Sequence, residues 1–170
     1  YSGQWISHEE REYETSQMIH ALLDSWKIEN ESVNNTGVVA TIKGKNPKKK
    51  IVALRADIDA LPIQEESSAE YCSVRKGVMH ACGHDAHTAM LLGVAYVLNH
   101  LRDSFEGSIR LIFQPGEEKL PGGAKLMIEK GVLENVDTII SQHVFPDLPC
   151  GEVGFCTGEY MASCDEINIT

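Results

Sequence analysis

The chain has 170 residues, 42% of them apolar and 24% charged. That balance excludes a mainly disordered polypeptide and fits one sizeable domain, able to bury about 70% of the surface its unfolded form exposes. Its 25 acidic residues against 15 basic ones set the net charge at −10, which repels a phosphate backbone and excludes nucleic acid as the expected partner.

From the N-terminus, Ser7 followed by Glu10 reads as a capping box. Behind it Thr15, Met18, Ile19, Leu22, Leu23 and Trp26 recur at helical spacing, so a helix over about 8–26 is predicted. Two β-rich runs follow, Gly37–Lys43 and Lys50–Ala56, expected as antiparallel neighbours around a solvated turn of Lys, Asn and Pro at 45–50. Asp85 is the expected cap of a second helix running to about Arg102. The longest apolar run, Ala89–Leu98, lies inside it; ten residues are about half of a bilayer span, so no membrane helix is predicted. Apolar residues nearly encircle this helix, which predicts deep burial. Ser108–Phe113 reads as a strand, Gly123–Lys130 as a short helix stopped by Gly131, and Asp137–Val144 as a strand. Shorter strands are expected near 152–156 and 166–170. The alternation predicts an α/β layer structure with a partly parallel sheet.

The five cysteines, Cys72, Cys82, Cys150, Cys156 and Cys164, are odd in number and form no C-x-x-C pair. Free thiols in a cytoplasmic setting are the expectation.

Polar residues gather where strands end. The strand at 51–56 runs into Asp57 and Asp59, that at 108–113 into Gln114-Pro115-Gly116-Glu117-Glu118, and that at 137–142 into His143. His80-Ala81-Cys82-Gly83-His84-Asp85 stands just before the second helix. In an open α/β sheet the ligand crevice lies outside the carboxyl ends of the strands, so these segments are expected to bring a thiolate, imidazoles and carboxylates to one edge. Each piece alone has a plainer reading. Cys82 and His84 fit a buried cysteine and a turn histidine, Glu117-Glu118 an exposed acidic turn, and His143 a satisfied polar residue. Asp57 and Asp59 fit loop caps, and His87, one helical turn beyond His84, fits either a partner of the site's ligands or a position on the helix surface, the surface being the expectation.

Adjacent glutamates on a bend point in different directions, so one can ligate a metal while the other stays free as a general base for hydrolysis. Thiolate with histidine and carboxylate suits zinc or another late first-row divalent ion and argues against magnesium or calcium. A structural zinc site is not expected, because no second cysteine stands near Cys82. A different reading keeps catalysis but makes Cys82 the nucleophile with His84 as its base.

Leu54-Arg55-Ala56-Asp57-Ile58-Asp59-Ala60-Leu61-Pro62 resembles a signature of metallo-amidohydrolases of the aminoacylase/carboxypeptidase group, which includes hippurate hydrolase, N-acyl-amino-acid amidohydrolases and auxin-conjugate hydrolases. The Gly77–Met90 segment, with Met79-His80-Ala81-Cys82-Gly83-His84-Asp85 at its centre, and the Gln-Pro-Gly-Glu-Glu segment are similar to that family too. The resemblance implies a three-layer α/β/α catalytic domain with a mixed sheet and a dinuclear centre of two divalent ions, zinc or manganese first, with cobalt or nickel as alternatives. It makes Cys82 a ligand, bridging two ions, with His84 and His143 as ligands of one ion and Glu118 of the other. Glu117 resembles the general base, and Asp59 matches an acidic position that orients the centre. The implied reaction is hydrolysis of the amide of a small N-acyl amino acid, Glu117 passing a proton to the leaving amine.

Family members are roughly twice as long. They insert a lid or dimerisation domain and supply a further metal-binding histidine after it. Residues 1–163 therefore resemble the N-terminal part of the catalytic domain, and 164–170 the start of the lid through which homodimers form. Trp5–Thr15 is similar to the tail of the family's opening helix. The implied second metal is weak in this chain, the implied sheet has an open, aggregation-prone edge, and an inactive metal-binding remnant or interaction module is the competing expectation.

Overall fold

A computed structural model describes residues 8–159. The capping box at Ser7, the strand expected at 166–170 and the 164–170 segment lie outside those residues.

Helix α1 (His8–Ser25) leads into strands β1 (Glu29–Val33), β2 (Gly37–Lys43) and β3 (Ile51–Asp57). Helix α2 (His84–His100), strand β4 (Ser108–Gln114), helix α3 (Gly123–Glu129) and strand β5 (Thr138–Ser141) follow. The five strands form one mixed sheet in the order β1-β2-β4-β3-β5. Strands β3, β4 and β5 run parallel, while β2 is antiparallel to both β1 and β4.

β2 and β3 are therefore not neighbours, as expected from sequence, but flank β4. The reason lies in the strand compositions. β4 presents Leu111 and Phe113 to one face and Ile112 to the other, all buried, and an all-round apolar strand belongs in the middle of a sheet. The 44–50 segment is not a hairpin turn. Gly44 and Lys45 bond instead to Gly107 and Phe105 on the approach to β4. β1, a polar strand that hydrophobic patterning misses, is tied to β2 through Asn34 and Asn35, both with positive φ, the conformation that tight hairpins need.

The strand periodicity divides the core in two. Val38, Ala40, Ile42, Ala56, Leu111 and Phe113 face Ile19 and Leu23 of α1 and Leu91, Leu92 and Ala95 of α2. On the opposite face Val39, Ala53 and Ile112 meet Met127 of α3 and Val132. The result is the expected three-layer α/β/α arrangement, with α1 and α2 on one side and α3 on the other.

Two details of α2 differ from expectation. It begins at His84 rather than behind an Asp85 cap, with Gly83 in the left-handed region at φ 77° as its N-cap residue. It is also buried on one face only: His84, His87, Thr88, Leu91, Leu92 and Ala95 turn to the sheet, whereas Met90, Val94, Val97 and Leu101 stay exposed. α1 likewise turns Glu12, Ser16, Ile19 and Leu23 inward while Met18 is exposed, so its buried stripe is rotated from the predicted one. β5 is shorter than expected, and no strand forms at 152–156, where Val153 and Phe155 are exposed and unpaired in any ladder.

Candidate metal centre

Because β3, β4 and β5 are parallel, their carboxyl ends share one edge of the sheet. Asp57 is paired with Gln114 in register, and β5 stops at Ser141, two residues before His143. The amino end of α2 reaches the same edge with Cys82, Gly83 and His84. The convergence expected from sequence is thus produced by topology. Cys82, His84 and Glu118 each place one ligand-type atom within 4.8 Å of the others, and Asp57, His84, His87 and His143 form an overlapping group.

Hydrogen bonding separates the three histidines. The Nδ1–H of His84 donates to the backbone carbonyl of Asp59 at 3.0 Å and to its Oδ1 at 2.9 Å. Its proton is therefore fixed on Nδ1, and Nε2 presents a lone pair. That Nε2 is fully buried with no hydrogen-bond partner, and it lies 3.6 Å from Asp57 Oδ2 and 3.9 Å from Glu118 Oε1. His143 is set the same way: Nδ1–H donates to the carbonyl of Val144 at 2.6 Å, and Nε2 lies 3.4 Å from Cys82 Sγ. His87 differs. Its Nε2 accepts the Val144 N–H at 3.0 Å, so Nδ1 carries the proton and donates to Asp57 Oδ1 at 2.5 Å. Both of its nitrogens are occupied, and it has no lone pair to offer an ion.

His87 is also buried, with 2% exposure, which corrects the surface position expected for it. The signal was available in the spacing, since residues 84, 87, 88, 91 and 95 share one helical face. Asp57 is likewise no loop cap. It is buried, and Arg55 Nη1 bonds its Oδ2 at 2.9 Å while Arg55 Nε donates to Gln114 Oε1 at 2.8 Å. A chain Gln114–Arg55–Asp57–His87–Val144 thus ties the ends of β4 and β3 to the segment that carries His143. Sequence reasoning missed this chain.

Asp59 joins two of the candidate groups. One carboxylate oxygen accepts from His84, and the other accepts the Glu118 N–H at 3.0 Å. Burial works against its charge, but the bonds from His84 and Glu118 hold its carboxyl below the usual range.

The electrostatics are those of a negative pocket. Burial, followed by the hydrogen bond and charge of Glu118 and the charges of Glu117 and Asp57, pushes the Cys82 thiol up to about 11. Burial opposes the protonation of His84, yet the Asp59 bond and the charges of Asp57, Asp59 and Glu118 outweigh it and raise its pKa. Glu117 is raised by burial and by Glu118 beside it. Each shift expresses a preference for added positive charge. A divalent cation satisfies that preference, and the soft-plus-hard donor set of thiolate, imidazole and carboxylate suits a late first-row ion.

A model of peptidase family M20/M25/M40 matches residues 53–168, from β3 onward. The chain belongs to that family. It is 45% identical over 160 residues to an N-acyl-L-amino acid amidohydrolase of Geobacillus stearothermophilus, covering 94% of this chain and 43% of that protein. An N-acetyl-L-cysteine deacetylase of Bacillus subtilis is 46% identical over 159 residues, covering 93% and 38%. Among solved structures, the Bacillus subtilis YXEP protein, a dinuclear metal binding peptidase, superposes with a TM-score of 0.77 at 46% identity, over 81% of this chain and 39% of that one. An aminobenzoyl-glutamate utilization protein of Klebsiella pneumoniae, 23% identical with a TM-score of 0.61, shares the fold. The chain spans well under half of each relative. No helix among the described residues is long and apolar enough to cross a membrane.

Proposed function

We propose that the protein of which this chain is part hydrolyses the amide bond of small N-acyl amino acids at a two-ion centre. The observation that carries this reading is the pair of histidines locked with Nδ1 protonated and Nε2 directed into the site, that of His84 without a hydrogen-bond partner and that of His143 against the Cys82 thiol. Cys82, His84, His143 and Glu118 would hold the ions, Cys82 as the ligand common to both, His84 and His143 serving one and Glu118 the other; zinc or manganese would fit the donor set first, cobalt or nickel next. When bound, the ions supply a Lewis acid for the substrate carbonyl and lower the pKa of water.

The protein's own groups do the rest. Glu117 stands beside Glu118 under the influence of Arg55, Asp59 and His84, and its raised pKa suits a carboxylate that takes a proton from water and delivers it to the leaving amine. Asp59 orients both His84 and the Glu118 backbone, and second partners of this kind set ligand basicity and direction. Cys82 is a poor candidate nucleophile, since its thiol is pushed far above the range where a thiolate forms near neutral pH. Residues 1–163 are assigned to the catalytic domain and 164–170 to the start of a lid through which the full-length protein dimerises. The names of the relatives, an N-acyl-L-amino acid amidohydrolase and an N-acetyl-L-cysteine deacetylase, support the substrate class.

The test is elemental analysis and N-acetyl-amino-acid hydrolysis by the full-length protein, wild type and Cys82→Ala, purified without chelator or metal resin. The expected result is chelator-sensitive hydrolysis restored by added zinc or manganese, with bound ions and activity both lost in C82A. Hydrolysis that survives complete metal removal would refute the reading.

A further inference from the structure

The turn that carries Glu117 and Glu118 is held from a place remote in sequence. Glu12, on the buried stripe of α1, is 3% exposed. Its Oε1 accepts the backbone N–H of Gly116 at 2.8 Å, across a separation of 104 residues. Its Oε2 accepts the hydroxyl of Thr36, itself buried, at 2.8 Å. The turn needs such an anchor. Gly116 is in the left-handed region at φ 57°, and its carbonyl receives the Gly123 N–H at 2.9 Å. Gly123 packs so closely that a Cβ there would lie 1.7 Å from the Pro115 carbonyl oxygen. With the carbonyl of Gly116 tied to the first residue of α3 and its N–H to α1, the two peptide groups that flank Gly116, just before Glu117, are held one from each layer of helices.

We propose that Glu12 is a positioning residue that clamps the Gly116 amide and so sets the direction of Glu117. This rests on the reading of Glu117 as the general base. The chemistry explains the residue type. A buried carboxyl offers two acceptors on a fork, which suits one backbone N–H and one hydroxyl pointing at it from different elements. Glutamine keeps both contacts, because its carbonyl oxygen accepts from Gly116 and its amide donates to the Thr36 oxygen. Aspartate is one methylene shorter and does not span from α1 to Gly116.

The experiment uses the metal-loaded full-length protein with Glu12→Asp, Glu12→Gln and, as a control for mild destabilisation on the same helix, Ile19→Val. Hydrogen exchange at the Gly116 amide reads the clamp without any assay of activity; kcat and KM for an N-acetyl amino acid read its purpose. E12D is expected to raise exchange at Gly116 about tenfold, the consequence of one lost hydrogen bond. It is expected to lower kcat by up to about 100-fold with KM little changed, the scale of a misplaced catalytic group. E12Q, which keeps the acceptor for Gly116, should depart from wild type less than E12D in both, and I19V should stay near wild type. Unchanged Gly116 exchange in E12D overturns the clamp, and faster exchange with wild-type kcat overturns its positioning role. Wild-type protein without metal-dependent hydrolysis overturns the functional reading and the positioning role with it, while the exchange data still decide whether the clamp exists.

Discussion

Asp59→Asn is the substitution whose consequences the structure constrains most tightly. Asp59 is 1% exposed, and its two carboxylate oxygens accept separate donors, the His84 Nδ1–H at 2.9 Å and the Glu118 N–H at 3.0 Å. Asparagine has the same shape but only one acceptor. If its amide group turns toward Glu118, two donors oppose each other and the backbone N–H is left unsatisfied in a buried site, at about 1–3 kcal/mol. If it turns toward His84, the imidazole must move its proton to Nε2. The Asp59 carbonyl at 3.0 Å then loses its donor, and the lone pair offered to an ion disappears.

Either way, metal affinity should fall about 10–100-fold, and the metal-free protein should lose about 1–3 kcal/mol of stability near neutral pH. The pH dependence supplies an internal control. The Asp59 carboxyl is held below its ordinary 3.8, so its contribution is present above the unfolded-state pKa and is lost as pH falls through the folded-state one. The stability gap between wild type and D59N should therefore close on acidification below about pH 4. Urea unfolding of the metal-free proteins and competition with a chromophoric chelator for zinc measure the two quantities. Zinc affinity in D59N within twofold of wild type would refute the reasoning.

Two further expectations address neighbouring groups. With its thiol pushed from 9.0 up to about 11, Cys82 of the metal-free protein should carry about a hundredfold less thiolate at pH 8 than an ordinary cysteine. Iodoacetamide should therefore label the exposed Cys150 and Cys156 first; peptide mapping that finds Cys82 labelled as fast contradicts the negative-pocket picture. His87→Leu removes both the Asp57 contact and the acceptor for the Val144 N–H, and should weaken zinc binding about 10–100-fold by loosening His143. His87→Gln keeps an acceptor for Val144 and should lose less; equal affinities in H87L, H87Q and wild type would show that the chain through Asp57 does not support the site.

The layout of the site was legible because it depends on strand ends. Asp57, Gln114 and His143 follow runs of β-rich residues, and parallel strands deliver such residues to a common edge whatever their order in the sheet. The order itself was not legible. The position of β4 between β2 and β3 depends on which strand is apolar on both faces, and that comparison is decided by packing against two helical layers rather than by any one strand. β1 escaped notice because an edge strand held by backbone bonds needs no apolar alternation, and Glu29–Val33 has none.

Asp59 was assigned its orienting role through the family resemblance, whereas the other supporting residues were missed or given plainer readings for a common reason. Glu12, Asp57 and His87 are polar groups at positions that helical or strand periodicity assigns to the interior. A hydrophobic reading of such a position treats the polar residue as an interruption and shifts the predicted face around it, as it did for α1. Burying an unpaired carboxyl or imidazole is costly, so a chain that keeps one on an inward stripe must also supply its partners. In this fold those partners are the Gly116 amide, Arg55 and the Val144 amide, and most of them are part of the candidate centre or within a residue of it. A polar residue on an apolar stripe is therefore a pointer in its own right. It marks where the fold accepts a desolvation penalty, and here the bonds that offset that penalty also aim the groups proposed to bind metal and move protons.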